Sequence, residues 1–224
     1  MLELKNVTKY YTKGKEKVRV LENVSYKFRP KVFYLINGKS GSGKTTLIQL
    51  LSFLIPLSDG VININSKDVS KLSSNEKASL RNKEIGFVFQ NYYLNPLMNA
   101  YENVILPTYV NNLMSDKERK EKAYKLLSEV GLEGRETHFP KELSGGEQQR
   151  VAIARALVNN PNIILADEPS GSLDPENEEN ILKILKDLSK KGKCVIVVSH
   201  SKNALKFADV VLKIESHKLV EVQK

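Results

Sequence analysis

Gly38-Lys39-Ser40-Gly41-Ser42-Gly43-Lys44-Thr45 fills every fixed position of the phosphate-binding pattern G-x-x-x-x-G-K-[ST]. A loop of this kind works through its backbone. Its glycines reach dihedrals that a side chain forbids, so successive N–H groups turn inward onto the α- and β-phosphates of a nucleotide. Lys44 is placed to reach the β- and γ-phosphates, and the Thr45 hydroxyl to ligate Mg²⁺. The flanks agree with this reading. Val32-Phe33-Tyr34-Leu35-Ile36 is a short apolar run that reads as a buried strand, and Thr46-Leu47-Ile48-Gln49-Leu50-Leu51 begins a helix whose N-terminus points at the phosphates. A Gly/Ser linker would account for the glycines but not for strand, loop and helix in that order.

Two further segments narrow the use of such a loop, which kinases, GTPases, motors and transporters share. Asn162-Ile163-Ile164-Leu165-Ala166-Asp167-Glu168 is an apolar strand ending in two carboxylates. An Asp at such a strand tip sits beside Mg²⁺ in phosphate-loop folds, and a second carboxylate after it is placed to orient or deprotonate a water. Alternation along the strand sends the two side chains to opposite sides. Leu143-Ser144-Gly145-Gly146-Glu147 then runs into the helical Gln148–Leu157, a second helix terminus suited to an anion. Read as a helix cap alone, Ser144 and Glu147 form a capping box. That leaves the two consecutive glycines without a reason.

With these segments in view, the chain resembles the ATP-binding subunit of an ATP-binding-cassette (ABC) transporter over essentially its whole length. Leu143–Glu147 resembles the family signature, lying between the phosphate loop and the Asp167-Glu168 strand. Tyr11 matches the aromatic that stacks on adenine, and Gln90, ending Ile85-Gly86-Phe87-Val88-Phe89-Gln90, the glutamine that senses Mg²⁺ and the attacking water. Ser172-Leu173-Asp174 matches the loop crossing the dimer interface, and His200, ending Val195–His200, the switch histidine on the γ-phosphate. Within the family the chain is similar to the macrolide-exporter, lipoprotein-releasing and antimicrobial-peptide efflux group, through Val88-Phe89-Gln90, Glu102–Pro107, His138-x-Pro140 and Ile164–Pro169. It departs from that group at Lys39 and Thr45, at Arg29-Pro30-Lys31 before the loop strand, and at Ser201 after His200.

The resemblance implies an α/β fold of the phosphate-loop NTPase class: a RecA-like parallel core, an antiparallel β subdomain, and a helical subdomain inserted between roughly 91 and 160, all in one domain over 1–224. It implies ATP and Mg²⁺ as ligands. The nucleotide contacts would be Tyr11, Gly38, Lys39, Ser40, Gly41, Ser42, Gly43, Lys44, Thr45 and Thr46. Ser144, Gly145, Gly146, Glu147 and Asp174 would complete a site across an ATP-dependent, head-to-tail homodimer. Thr45, Gln90 and Asp167 would serve the metal, and Glu168, His200 and Gln90 the hydrolysis. The expected partner is a transmembrane permease subunit exporting or extracting a peptide, antimicrobial, lipoprotein or other amphipathic cargo. A regulatory ATPase of signalling or cell-division type is the alternative.

Composition sets outer limits. With 224 residues and 41% hydrophobic content, the chain can bury a single core. Its longest apolar stretch, Leu50 to Leu57, contains Ser52 and Pro56 and is far short of the roughly 20 residues that cross a bilayer. The start, Leu2-Glu3-Leu4-Lys5-Asn6, alternates like a strand, and no signal peptide is apparent. A cytoplasmic protein held peripherally at the membrane's inner face by its permease is therefore expected. The single Cys194 excludes an intrachain disulfide. The net charge of +9 is uneven: residues 1–112 carry 16 Lys/Arg against 8 Asp/Glu, and residues 113–224 carry 19 against 18. A basic lobe suits nucleotide or an anionic membrane face, or is simply a solvated surface. No nucleic-acid partner is expected, since no helix-turn-helix or aromatic–basic RNA motif is visible.

The remaining organisation follows from periodicity. Strands are expected near 2–7, 18–28, 32–36 and 61–64. Ala123, Leu126, Leu127 and Val130 at helical spacing predict an amphipathic helix over 116–130. Asp174-Pro175 supplies an N-cap and first-turn proline for a helix through Leu188, and Asp209–Val222 reads as a terminal hairpin.

Overall fold

Strands that are apolar at every position need a hydrophobic layer on each face, and this chain builds two such layers. The structure, a computed structural model, describes residues 1–14, 16–39, 41–110 and 113–223. In chain order its elements are β1 (Leu2–Lys13), β2 (Glu16–Phe28), β3 (Phe33–Asn37), α1 (Lys44–Leu51), β4 (Asp59–Ile64), β5 (Lys67–Asp68), α2 (Ser74–Glu84) and β6 (Ile85–Phe89). There follow α3 (Ala100–Ile105), α4 (Asp116–Glu129), α5 (Gly145–Leu157), β7 (Ile163–Asp167), α6 (Pro175–Lys190), β8 (Cys194–Val198), α7 (Ala204–Phe207), β9 (Val210–Glu215) and β10 (Lys218–Val222).

Two sheets result. The larger has the order β10-β9-β3-β8-β7-β6, parallel except for the terminal β9–β10 hairpin, and the smaller is the antiparallel β2-β1-β4-β5. Alternate residues of each central strand feed opposite cores. Phe33, Leu35, Ile164, Ala166, Val195 and Val197 join the core made with α3 to α7. Tyr34, Ile36, Ile163, Leu165, Ile196 and Val198 join the core made with α1 and the antiparallel sheet. The α/β class, the parallel core with its separate antiparallel sheet, and the strands and hairpin predicted from periodicity are all present. β1 runs on past residue 7 to residue 13 and pairs with β2 as a long ribbon whose register shifts near Val7 and Lys9.

Between β6 and β7 the helices α3, α4 and α5 pack on one another. The amphipathic segment predicted over 116–130 is α4, with Ala123, Leu127 and Val130 buried and Ser115 and Glu118 closing a capping box. α5 also lies on β6. Their approach at Gly86 leaves no room for a side chain: an added Cβ would fall 2.4 Å from the Ala156 carbonyl oxygen and 2.9 Å from Ile164 Cδ1. This contact sets the distance of α5 from the strand that delivers Gln90. Gly86→Ala must therefore push backbone apart, and a loss of about 1–3 kcal/mol or more is expected from overpacking, read as a lower midpoint in urea unfolding.

Candidate active site

Parallel strands that run together end together. The last paired residues of β3, β8, β7 and β6 are aligned, with Ile36 opposite Val198, Asp167 opposite Val198 and Phe89 opposite Asp167. The loops leaving this one edge carry most of the residues singled out in the sequence.

The loop after β3 is shaped by glycine. Gly41 (φ 76°) and Gly43 (φ 103°) are left-handed, and a Cβ at Gly43 would meet Val20 Cγ1 at 2.7 Å. Gly43 caps α1 without any side-chain hydrogen bond, and the first turn has no acidic residue, which leaves its N–H groups to an anion. Lys44 is buried at 7% exposure, and its Nζ donates to the carbonyls of Gly38 (2.7 Å) and Lys39 (2.9 Å). Burial lowers its pKa, against the opposing pull of the Glu168 and Asp167 charges. Thr45 is exposed and Thr46 half-buried on the first turn; Ser40 lies outside the described residues. A cleft of about 350 Å³ opens here, lined by Gly41, Gly43, Lys44, Thr45, Thr46, Asp167, Glu168 and His200, with Val20 and Val198 as its apolar walls.

Asp167 follows Ile163 and Leu165 on the face of β7 that looks toward α1, so alternation delivers its carboxylate to the Lys44 cleft. Burial raises its pKa most, the Glu168 charge raises it further, and Lys44 opposes both. Glu168 departs from the alternation expected of it. It adopts φ +46° just past the strand, its N–H donating to the Val198 carbonyl at 2.9 Å, and this left-handed turn ends the strand's side-to-side pattern. Instead of facing away from Asp167, Glu168 lines the same cleft. It also lines a second, adjoining cleft of about 630 Å³ with Gln90, Gly171 and His200. The His200 Nε2 is 3.5 Å from Glu168 Oε1, and the His200 N–H donates to Oε2 at 3.4 Å. The Gln90 amide nitrogen packs 3.1 Å from where a Cβ on Gly171 would lie. A carboxylate thus stands between a phosphate-type loop and an amide, with a histidine against it.

Other predicted residues lie apart from this cleft. Ser144 caps α5 in a reciprocal capping box: its Oγ accepts from the Glu147 N–H at 3.3 Å while Glu147 Oε2 accepts from the Ser144 N–H at 2.8 Å. The Ser144 N–H holds the Glu147 pKa below its ordinary value. The paired glycines have a packing reason that sequence alone did not supply. A Cβ at Gly145 would sit 3.0 Å from Tyr92 Oη, and one at Gly146 only 2.3 Å from Asn177 Oδ1. Asp174 caps α6, accepting from the N–H groups of Glu176 and Asn177, and the Asn177 side chain lowers its pKa. Neither the 144–147 segment nor Asp174 lines the Lys44 cleft. Tyr11 is exposed on β1 opposite Val18, with the Lys9 ammonium 4.9 Å from its ring centre, while Lys17 stands 4.5 Å from the Tyr10 ring. Val20 was missed as a cleft residue: it is half-buried where β2 passes from exposed to buried positions, and nothing local marks it as packing on Gly43.

The chain is similar to known proteins over nearly all of its length. Residues 21–171 match the sequence model of the family described as ABC transporter. The lipoprotein-releasing system ATP-binding protein LolD of Wigglesworthia glossinidia brevipalpis is 43% identical over 220 residues, covering 98% of this chain and 96% of that protein. The macrolide export ATP-binding/permease protein MacB of Chlorobaculum tepidum is 43% identical over 224 residues, covering all of this chain and 34% of that larger protein. Among solved structures, the dimeric post-hydrolysis state of the ATP-binding cassette MJ0796 with ADP and Pi superposes with a TM-score of 0.89 at 39% identity, covering 100% of both chains.

Among the described residues, Lys44 is the only lysine or arginine lining the loop cleft. Lys44→Ala is expected to weaken ATP binding by about 10- to 100-fold, the scale of losing a charge-assisted hydrogen bond to phosphate, in a nucleotide titration.

Proposed function

The chain belongs to the ABC transporter family, and from that premise we propose that ATP hydrolysis at the Lys44 cleft powers a separate membrane permease exporting or extracting an amphipathic cargo: a peptide, a macrolide-like antimicrobial or a lipoprotein. The observation that carries the chemistry is the placement of Glu168, shared by the Lys44 cleft and the Gln90 cleft and contacted at both oxygens by His200. In this reading the backbone amides of Gly41, Gly43 and the first turn of α1 hold the phosphates and Lys44 neutralises their charge. Glu168 takes the proton of the water as its oxygen bonds the γ-phosphorus and ADP leaves; His200 aligns Glu168, and Gln90 orients that water.

Mg²⁺ suits the donors present. It is ordinarily bound through one or two carboxylates together with substrate phosphates, and the Thr45 hydroxyl and Asp167 carboxylate line the cleft beside Lys44. Thr45 and Asp167 would hold the ion, Gln90 would serve it from the adjoining cleft, and its contribution would be to screen phosphate charge.

The signature segment lines none of its own Lys44 cleft, so we take the complete site to form between two chains paired head to tail; the MJ0796 cassettes are likewise dimeric. Ser144 to Glu147 of one copy would face the phosphates held by the other, next to Asp174. Residues 91–160 would then act as an inserted helical arm on a single domain spanning 1–224. MacB carries its permease in the same chain as its ATP-binding part. Among the described residues here, no helix is long and apolar enough to cross a membrane. An apolar face fits a separate permease: two grooves of about 460 and 360 Å³ share Leu54 and Arg81, with Phe87, Phe89 and Pro107 in the second and the exposed Leu54 and Val110 at the rim. Docking there would hold the protein at the cytoplasmic face of the membrane.

Replacing Glu168 by Gln removes the base but keeps the size of the side chain. ATP binding should persist while hydrolysis falls by roughly 10²–10⁴-fold, and a dimer should become isolable by gel filtration with ATP. Hydrolysis at the parent rate would overturn the assignment. Leu54→Asp combined with Val110→Asp should abolish co-sedimentation with permease-containing membranes. The melting midpoint should hold, since both side chains are exposed.

A further inference from the structure

Gln149 is completely buried in α5, one and a half turns after Ser144, and takes no part in the scheme above. Its single side-chain nitrogen donates twice, to the Pro169 carbonyl at 2.6 Å and to the Phe89 carbonyl at 3.2 Å. Phe89 immediately precedes Gln90, and Pro169 immediately follows Glu168. Only the NH₂ end can face two carbonyl oxygens, so the orientation of the amide is dictated by its neighbours. Its Oε1 finds no hydrogen-bond partner among the described residues. As packing alone this is a poor choice, since a buried amide oxygen without a partner costs stability that an aliphatic side chain of the same size would not.

The same helix grips the far side of Gln90. Arg155 donates from its two terminal nitrogens to the carbonyls of Tyr92 and Tyr93, both of which hold positive φ (27° and 48°). The turn that carries Gln90 is therefore fastened at both flanks to one rigid rod, and the Glu168 loop is fastened to that rod by the same amide. We propose that Gln149 is a positioning residue for hydrolysis: it sets Gln90 against Glu168 and ties their spacing to α5, the helix that begins at Ser144. The inference rests on the reading of Gln90 and Glu168 as the groups that handle the attacking water.

Gln149→Met keeps the volume and removes both donors. With the full chain, steady-state ATPase activity at varied Mg²⁺ and titration with a fluorescent ATP analogue would be compared for the parent, Q149M, Q90A and the double variant. Q149M should lower kcat about 10- to 100-fold, the scale for slight misplacement of catalytic groups, and raise the Mg²⁺ needed for half-maximal rate. Nucleotide Kd should stay within about two-fold, and the double variant should be no slower than the slower single, because both changes disable one unit. A merely structural Gln149 would instead lower Kd-measured affinity and melting temperature together with kcat, or its loss would multiply with that of Q90A; either result overturns the proposal. So does a Q149M rate within about two-fold of the parent beside an impaired Q90A, which leaves the proposed function standing. Parent-like hydrolysis by Q90A would remove the reading of the site and this inference with it. Should Q149M not fold, Q149N is read by the same criteria, since an amide one methylene shorter cannot span both carbonyls.

Discussion

The parallel pairing of β3, β8, β7 and β6 is the constraint on which the rest depends. Parallel strands cannot be joined by tight turns, so each connection crosses over through helices and every strand starts again at the same edge. Their C-terminal ends consequently form one rim, where Asn37 leads into the phosphate loop, Phe89 into Gln90, Asp167 into Glu168 and Val198 into His200. Residues more than a hundred positions apart meet there because the backbone ladder leaves them no other place. The crevice outside the carboxyl ends of an open α/β sheet is where ligands bind in such folds, for this reason.

Electrostatics at that rim is set by partial burial. Lys44 is pulled toward its neutral form and Asp167 is held with its proton more firmly than an exposed carboxyl. For Asp167 the sign is clear: a carboxyl whose folded pKa lies above its unfolded one costs stability once the pH exceeds the unfolded value. A fold that keeps two carboxylates side by side under burial accepts that cost, and a cation brought beside Asp167 would return it.

A second layer of order comes from helix-to-helix contact away from the rim. Gly146 lets α5 meet the N-terminal turn of α6 at Asn177, and Gly86 lets it lie against β6. Both glycines serve close approach, not a turn. They bring the capped end at Ser144 into fixed relation with Asp174 on one side and with the strand feeding Gln90 on the other. An anion-binding helix terminus and a tightly packed one make the same demand for small residues, which is why the Ser-Gly-Gly segment looks alike under either account.

Much of this was legible in the residues themselves. The loop Gly38–Thr45 carries its own backbone requirement, continuous apolar runs such as Val195–Val198 announce strands buried on both faces, and Asp174-Pro175 announces a helix start; each is a local property of a few neighbouring residues. What only the tertiary structure decided are relations between segments. Val20 reaches the cleft because a hairpin folds over Gly43. Glu168 shares a cleft with Asp167 because a left-handed turn at its own backbone overrides the alternation that a strand would impose. Gln149 bridges Phe89 and Pro169 because three elements converge on one buried amide. Sequence spells out dihedral and burial preferences residue by residue, whereas distances across the chain arise only when those preferences are satisfied together in one packed arrangement.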